Sequence, residues 1–447
     1  MKQLKRNIYY SPRRIRKILD SSIDIAADSI QCYCNDPVSN FTRNRKLSAR
    51  TLIKCIMNFS DHSAVGELSY FFNGHDDMPT SSALCQRRKL LDPDIFRRIN
   101  DLFVNSFDNL TTINGYHILA QDGSDINIPF MDDETKCFNG DNKPFCQYHI
   151  NALYDCLNNV FYDWSIDPYS KKQEISALLS IIKKNNFPQN SIITADRGYE
   201  NYNLIAHLIK NNIKFAIRVK DINKNGIMRN IKTGDGAFDI NVTRTMTRLQ
   251  TKEIRADKDK YVFVPTTSRF DFLGPLCDFY ELSFRAVRFK ITEDAYETII
   301  TNLSEEEFHL EDFKELYHYR WKEETAFGKL KYTMGMVYFH AKNRKSIQQE
   351  INATFLMYNI SETIVRNIHI KQNRKYHYKA NFSSAVTNIR LYLKNTINEK
   401  TLVFRIKKIL APVRPERSFE RNIKNKSCIP LNHRTSWQDL LYYVILG

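Results

Sequence analysis

Three acidic residues lie at positions where metal-dependent chemistry on a phosphate group could be carried out. Asp122 closes the apolar run HILAQ, and Asp196 closes the apolar run SIITA. Glu324 lies far downstream, within the segment LYHYRWKEETAFGKLK. Acids that leave adjacent strands of an α/β sheet can converge on one point, where ligands gather. An isolated Asp at such a junction is more commonly a turn or capping residue, so the prediction depends on the three acids together.

One face of a predicted helix carries a phenol, a carboxylate and two cations, which are Tyr317, Arg320, Glu324 and Lys331. At about 100° per residue, the four side chains fall within a sector of roughly 60°. Arg320 and Glu324 also form an i,i+4 pair, so the simplest alternative is a salt-bridged face exposed to solvent. In combination with the two Asp residues, the stripe adds a third carboxylate, and cations that can hold flanking phosphates.

Carboxylate oxygens are the ligands that hard divalent cations such as Mg²⁺ prefer, and these ions retain water for a substrate phosphate. Two ions about 3.5–4 Å apart can activate a nucleophile and stabilise the leaving oxygen of an in-line phosphoryl transfer. Three acids are the minimum set that such a site needs. The chain has no Gly-rich GxxxxGK[ST] loop and no GxSxG elbow, which disfavours an ATP-dependent enzyme and a serine hydrolase.

The elements that must position these residues follow from the apolar spacing. Between residues 111 and 220 the predicted order is strand, strand, strand, helix, strand, helix, strand, which indicates a mixed α/β sheet. Residues 221–303 are β-rich with polar turns, and helical periodicity dominates from about residue 305 to the end. The predicted fold class is therefore α/β, with helical regions before and after the sheet in the chain.

The N-terminal quarter of the chain is predicted to be helical. Apolar residues recur at intervals of three and four over the segments 11–35, 47–75 and 93–109. Ser48 and Ser63 precede two of these apolar runs and are predicted N-caps. The expected result is a small helical domain.

Basic residues are unevenly distributed along the chain of 447 residues, which has 66 Lys+Arg, 50 Asp+Glu and a net charge of +16. Residues 332–447 carry most of the excess, with 20 basic and 6 acidic side chains. In the N-terminal region Arg87, Arg88 and Lys89 are consecutive. Such basic surfaces are typical of proteins that bind nucleic acid, although a solvated surface and an ordinary helical bundle are the alternatives.

Composition excludes several classes of protein. Charged residues make up 26% and apolar residues 42%, which excludes wholesale disorder. The longest apolar stretches are shorter than a membrane helix needs, and the 9 cysteines have no repeated spacing. Cys137, Cys146, His149 and Cys156 fit no compact zinc finger and are interpreted as thiols beside a strand histidine. We expect an intracellular protein in a reducing cytosol.

At these residues the sequence resembles the insertion-sequence-four family of DDE transposases. The segment around Glu324 follows that family's signature Tyr-x2-Arg-x3-Glu-x6-Lys, and QDGSDINIP and TADRGYENY resemble its first and second Asp motifs. The resemblance covers about residues 40–365, with the motifs in the expected order. It implies a ribonuclease H-like catalytic core interrupted by a β-rich insertion.

The resemblance also implies roles for individual residues. Asp122, Asp196 and Glu324 would be catalytic ligands of two Mg²⁺ ions, with Mn²⁺ as a substitute. Side chains expected to contact DNA are Tyr317, Arg320, Lys331, Arg197, Arg87, Arg88 and Lys89. The partners would be double-stranded DNA of the transposon terminal inverted repeats and of the target, bound by a homodimer. No membrane partner is expected, and the location would be the bacterial cytoplasm in association with the nucleoid.

Five parts are expected: a helical DNA-binding domain (1–110), the first part of the core (111–220), the β-rich insertion (221–303), the second part of the core with the catalytic helix (304–365), and a basic helical C-terminal region (366–447). The implied activity is metal-dependent cleavage at transposon ends followed by strand transfer, which is cut-and-paste transposition. The alternatives are a ribonuclease H-fold nuclease without strand transfer and a catalytically inactive DNA-binding protein derived from a transposase.

The sequence departs from the family in one respect. Some relatives use a Trp in the insertion to hold a base that flips out when a DNA hairpin forms. Trp occurs here only at 164, 321 and 437, outside that segment. Phe270 and Phe272 are the aromatic residues that could substitute, and the hairpin step is left open.

Overall fold

A computed structural model describes residues 3–4, 9–43, 45–60, 62–76, 78–108, 110–134, 136–138, 144–171, 173–222, 224–293, 295–372 and 376–413. The predicted basic C-terminal region is thus described only up to residue 413, and Trp437 lies outside the described residues. Among the described helices, none has both the length and the apolar character needed to cross a bilayer.

The N-terminal region is helical, as predicted. Its helices are α1 (Pro12–Asp28), α2 (Ala49–Met57), α3 (Ala64–Phe71), α4 (Ser81–Leu90) and α5 (Asp94–Val104). Both predicted N-caps are confirmed, because the Ser48 hydroxyl accepts a hydrogen bond from the Thr51 amide and the Ser63 hydroxyl accepts one from the Gly66 amide. Each bond satisfies an amide that has no partner within its own helix. The first helix ends at Asp28, earlier than predicted, and a short 3₁₀ turn follows.

The strands are β1 (Gln3–Leu4), β2 (Thr112–Ile113), β3 (His117–Ile128), β4 (Lys136–Cys137), β5 (Phe145–Asp155), β6 (Val160–Pro168), β7 (Ser191–Ala195), β8 (Lys214–Val219), β9 (Phe238–Thr247), β10 (Tyr261–Phe263), β11 (Phe279–Thr292), β12 (Ala295–Thr301), β13 (Tyr378–Ala380) and β14 (Leu410–Pro412). Ten of them form one sheet in the order β10-β9-β11-β12-β8-β7-β3-β5-β4, with β6 also paired to β5. The prediction of a mixed α/β sheet is confirmed. The central strands β3-β7-β8 are parallel, β3, β5 and β6 are antiparallel, and at the far edge β10 pairs parallel with β9.

The β-rich segment predicted as an insertion continues this sheet. Its last strand, β12, pairs antiparallel with β8, with Ile300 opposite Ile217. Ile299 and Ile300 are fully buried, so the strand packs as part of the core. The segment is therefore joined to the central strands by a hydrogen-bonded ladder.

The remaining helices are α6 (Glu174–Lys184), α7 (Tyr202–Lys210), α8 (Lys252–Ala256), α9 (Asp312–His318), α10 (Trp321–Gly328), α11 (Arg344–Arg366), α12 (Phe382–Leu393) and α13 (Glu399–Lys408). Helix α11 is buried over most of its length and packs against α1, α2, α5 and β6. A helix that is covered on all sides lies inside a core. This helix joins the N-terminal helices to the sheet.

The prediction that one continuous helix carries Tyr317, Arg320, Glu324 and Lys331 is wrong in detail. The helix is interrupted between α9 and α10, where the amides of Arg320 and Glu323 donate to carbonyls three residues earlier. After α10, Lys329–Thr333 form a π turn closed by a bond from the Met334 amide to the Lys329 carbonyl. Tighter and wider turns change the angle per residue, so uniform helical spacing does not describe the stripe.

Candidate active site

Asp122 and Asp196 lie side by side at the end of the parallel pairing between β3 and β7. Gln121 opposite Ala195 is the last pair of that ladder, and each acid is the next residue along the chain. Strand β7 stops there, but β3 continues to Ile128 along β5, so Asp122 lies within its strand and does not close it as predicted. Each acid accepts a local backbone bond of 2.8 Å, from the Gly123 amide to Asp122 and from the Gly198 amide to Asp196.

Arg320 connects the third acid to this pair. Its guanidinium Nη2 lies 3.4 Å from Glu324 Oε1, and Nη1 lies 3.7 Å from Asp122 Oδ2. The same guanidinium lies 4.8 Å from the ring centroid of Trp321, which is 44% exposed. Arg320 itself is buried, so its charge is directed at the two acids. The structure thus brings the three predicted acids into one region, with the Arg320 guanidinium between Asp122 and Glu324.

The electrostatics of Asp122 reflect this crowding. The pKa of Asp122 is raised to about 6, chiefly by burial and also by the nearby carboxylates Asp196 and Glu324, while the Gly123 amide and Arg320 act in the opposite direction. Burial of an acid and like charges disfavour the ionised form. One cationic side chain does not neutralise the cluster, and a divalent cation would relieve the repulsion.

The donor set has the chemistry of a magnesium site, since carboxylate oxygens are its preferred protein ligands. Within the described ranges, however, no three His, Cys, Asp or Glu side chains are arranged as a ready-made metal site. The guanidinium of Arg320 lies between Asp122 and Glu324, which explains why these acids do not share a point. The residues suit the ions in kind, and binding would require Arg320 to move away from the acids.

Lys331 approaches the acids from the π turn. Its Nζ donates a 2.7 Å hydrogen bond to the main-chain oxygen of Asp125, three residues beyond Asp122 on β3. π turns within helices occur often at functional sites, where they redirect side chains. The turn therefore places the ammonium group against β3, the strand that carries Asp122.

The other predicted DNA contacts divide into buried and exposed side chains. Tyr317 and Arg320 are buried, and burial raises the pKa of the Tyr317 hydroxyl. Arg88 is also buried, with Nη2 2.9 Å from both Glu350 Oε1 and the Ser346 carbonyl. The geometry therefore gives Arg88 a role within the protein, and we leave it out of the proposed DNA surface.

Arg87, Lys89 and Arg197 differ from Arg88. Arg87 is half-buried and donates to the Leu47 carbonyl at 3.1 Å. Lys89 and Arg197 are exposed, and Arg197 directly follows Asp196. Only the last two therefore present their side chains fully to solvent.

Several residues beside the acids were not predicted from the sequence. Glu323 is fully buried, and neither of its carboxylate oxygens meets a donor with hydrogen-bond geometry among the described residues. Glu174 begins α6, and His149 is a buried residue of β5 that contacts it. An acid in the first turn of a helix is so common that Glu174 carries no separate signal in the sequence. Glu323 directly precedes Glu324, and that adjacency was its only signal.

Comparisons with known proteins bear on this site. Residues 113–360 match a protein-family model described as "Transposase DDE domain", and this range includes all three acids. No curated protein sequence matches the chain.

Among solved structures, one match is described as a "Cryo-EM structure of piggyBac transposase synaptic complex with hairpin DNA (SNHP)". It has 14% sequence identity and a TM-score of 0.43, and the match covers 92% of this chain and 88% of that one. A likeness this low supports no conclusion about this chain.

Proposed function

This chain belongs to the transposase DDE domain family, and from that premise we propose that it cuts DNA at transposon ends and joins the freed ends to target DNA. The observation that carries the proposal is the convergence of three acids from distant parts of the chain. Asp122 and Asp196 follow the last pair of a parallel ladder, and Arg320 links Asp122 to Glu324. The insertion-sequence-four group is the proposed subfamily, on the strength of the Tyr-Arg-Glu-Lys spacing.

The proposed scaffold is a ribonuclease H-like core. Five strands support it, in the spatial order β6-β5-β3-β7-β8, with the first three antiparallel and the last three parallel. In this arrangement the first acid lies on the central strand and the second follows its parallel neighbour. A helix that comes later in the chain then supplies Glu324.

Asp122, Asp196 and Glu324 would hold two Mg²⁺ ions, with Mn²⁺ as a substitute. When bound, such ions activate water or a 3′-hydroxyl and stabilise the leaving oxygen. Arg320 would hold a phosphate oxygen after leaving the two acids, and Lys331 would hold a phosphate beside β3. Because both are cations, they would orient the strand without supplying metal ligands.

The proposed partners are the duplex DNA of the terminal inverted repeats and the target duplex, bound by a homodimer that pairs two ends. Exposed cations support DNA binding, including Lys89 and Arg197. Phe270 is buried against Phe272 and Tyr280, which disfavours it as a platform for a flipped base. We therefore propose cleavage and strand transfer, and leave the hairpin step out.

The experiment that tests the function uses the full chain, Mg²⁺, a duplex carrying the terminal repeat and a target plasmid. We expect cleavage at the end of the repeat and joined products, with both lost by at least about a hundredfold in Asp122→Asn and Glu324→Gln. These two variants should keep their DNA affinity. Glu311→Gln, an exposed acid near the same helices, is the matched control and should behave as the parent.

The products also discriminate between the candidate functions. Cleavage without joining would identify a nuclease, and DNA binding without either product would identify an inactive transposase derivative. Equal product from the parent and Asp122→Asn would contradict the assignment of Asp122.

A further inference from the structure

His149 is a buried histidine between two carboxylates. Its Nδ1 lies 2.5 Å from Asp125 Oδ1, and its Nε2 lies 3.4 Å from Glu174 Oε1 and 3.2 Å from Asn151 Oδ1. The ring is fully excluded from solvent, so its orientation is fixed by these partners. Buried imidazoles held in this way orient the group on their other side. Here that group is the carboxylate of Glu174.

Glu174 extends from the start of α6 toward Gly123 and Gly198, which lie close to Asp122 and Asp196 in the chain. A Cβ added to Gly123, the neighbour of Asp122, would lie 3.1 Å from Glu174 Oε1 and 2.5 Å from His149 Nε2. A Cβ added to Gly198 would lie 3.6 Å from Glu174 Oε2 and 2.9 Å from Asp196 Oδ1. The two glycines therefore leave room for a carboxylate beside the backbone next to Asp122 and near Asp196.

The buried Tyr199 lies near the same group of carboxylates. Burial raises the pKa of Tyr199 well above its ordinary value, and the carboxylates Glu174, Asp122 and Glu323 raise it further. Among the described residues, the Tyr199 hydroxyl accepts one long hydrogen bond, of 3.4 Å from Gln121 Nε2. Three carboxylates thus act on one hydroxyl from different elements, namely α6, β3 and α10.

Glu323 adds a second indication that this space receives a ligand. Its side chain is completely buried beside Asp122, and neither oxygen makes a hydrogen bond of good geometry in the described part of the chain, although the backbone amide of Asp122 acts on the carboxylate and lowers its pKa against the effect of burial. Buried carboxylate oxygens without a donor are unfavourable, and a bound cation or its water would satisfy them.

We propose that Glu174 is a fourth carboxylate of the divalent-metal site and that His149, held by Asp125, is its positioning residue. The proposal rests on the proposed function, since it extends the same site. It differs from the sequence-based set because Glu174 belongs to none of the three acidic motifs. A fourth carboxylate supplies further oxygens for two ions that each need about six ligands.

The test is Mn²⁺ binding to the full chain without DNA, measured by calorimetry and by the metal-induced rise in Tm. Glu174→Gln should weaken Mn²⁺ affinity by at least about tenfold, and His149→Gln by about tenfold. The Tm of each metal-free variant reports any loss of the fold separately. Glu253→Gln, an exposed acid in the first turn of α8, is the matched control and should bind Mn²⁺ as the parent does.

Glu174→Asp is the second variant, because it keeps the charge but shortens its reach by one methylene. We expect an affinity between those of the parent and Glu174→Gln. Parent-like Mn²⁺ affinity in Glu174→Gln would overturn the proposal, and if that variant fails to fold, parent-like affinity in Glu174→Asp would do so. A parent that binds Mn²⁺ but yields no DNA products would contradict the proposed function and leave the Glu174 result standing.

Discussion

Arg320 lies against Asp122, with its guanidinium Nη1 3.7 Å from Asp122 Oδ2. Arg320 is 4% exposed, but the side chain of Asp122 is 25% exposed, so this contact is only partly shielded from bulk solvent. Unit charges of opposite sign about 4 Å apart attract by about 4 kcal/mol near a protein surface. The arginine therefore compensates part of the charge of the acids and competes with any cation that they bind.

Removing that charge should favour divalent cations. Arg320→Gln is expected to tighten Mn²⁺ binding by at least about tenfold, because a competing unit charge is lost from beside Asp122 and Glu324. The same variant should lose DNA cleavage, since the cation proposed to hold the phosphate is gone. Calorimetric Mn²⁺ titration and the cleavage assay measure the two effects. The exposed Arg255→Gln is the control, and weaker Mn²⁺ binding in Arg320→Gln would instead identify a residue that positions the acids.

Lys331 should act on DNA and not on the metal. Its Nζ bonds to a main-chain oxygen of β3, so the ammonium is held beside the acids without being one of the ligands. Lys331→Ala should lower cleavage and strand transfer by about a hundredfold and leave Mn²⁺ affinity unchanged. Lys314→Ala removes an exposed cation from α9 and is the control. Full activity of Lys331→Ala would refute the phosphate role.

A buried ion pair between the N-terminal helices and α11 should make stability depend on pH. Burial opposes the ionisation of Glu350, but Arg88 and His340 outweigh it and lower its pKa to about 2. His340 lies between the two acids, with Nε2 3.2 Å from Glu67 Oε1 and Nδ1 3.2 Å from Glu350 Oε2. Because the folded pKa lies below the ordinary value of 4.5, the stabilisation is present above pH 4.5 and is lost as the pH falls through 2.

Glu350→Gln should therefore lower the free energy of unfolding at pH 7 by about 3 kcal/mol, because Arg88 is left buried without its anion. The difference from the parent should shrink between pH 4.5 and pH 2, as measured by urea unfolding across that range. Glu305→Gln, an exposed acid, should show no such difference. A gap that stays constant with pH would mean that the ion pair is not its source.

DNA affinity should fall steeply with salt, because each Lys or Arg that contacts a phosphate displaces a counterion. Lys407 and Lys408 are exposed at the end of α13, within the basic C-terminal region. Replacing both by Ala should reduce the slope of log affinity against log salt by about two. Lys252→Ala with Lys258→Ala makes the same charge change at two exposed lysines outside the C-terminal region, and an equal effect of both pairs would argue against a specific surface.

Much of the fold could be predicted because the strands and helices of the centre are long and regularly patterned. The apolar runs HILAQ and SIITA became neighbouring parallel strands, so the adjacency of Asp122 and Asp196 was accessible from the sequence. The place of Glu324 depended on a motif with unusual spacing. The two apolar runs and the motif are local patterns that can be recognised in the sequence, and the general rule that acids leaving adjacent strands converge supplied the expectation that they meet.

What could not be predicted depends on contacts between distant segments. Consecutive cations do not show which one faces inward, and Arg88 turned out to point at α11. Glu174 meets His149 only through the pairing of strands and the placement of α6. At the break before α10, amides bond to the carbonyl three residues earlier and not four. The spacing of apolar residues does not indicate such a change.

The pairing of β8 with both β7 and β12 has a mechanical consequence. Strand β8 pairs on one side with β7, the strand that Asp196 follows, and on the other side with β12. Movement of β12 away from the centre as a hinged lid would therefore break the hydrogen bonds between β12 and β8. Any nucleic acid gripped by the outer strands would be presented to the acids at a fixed distance and angle. The choice of the phosphate that is cleaved would then depend on the backbone hydrogen bonds that join β12, β8 and β7.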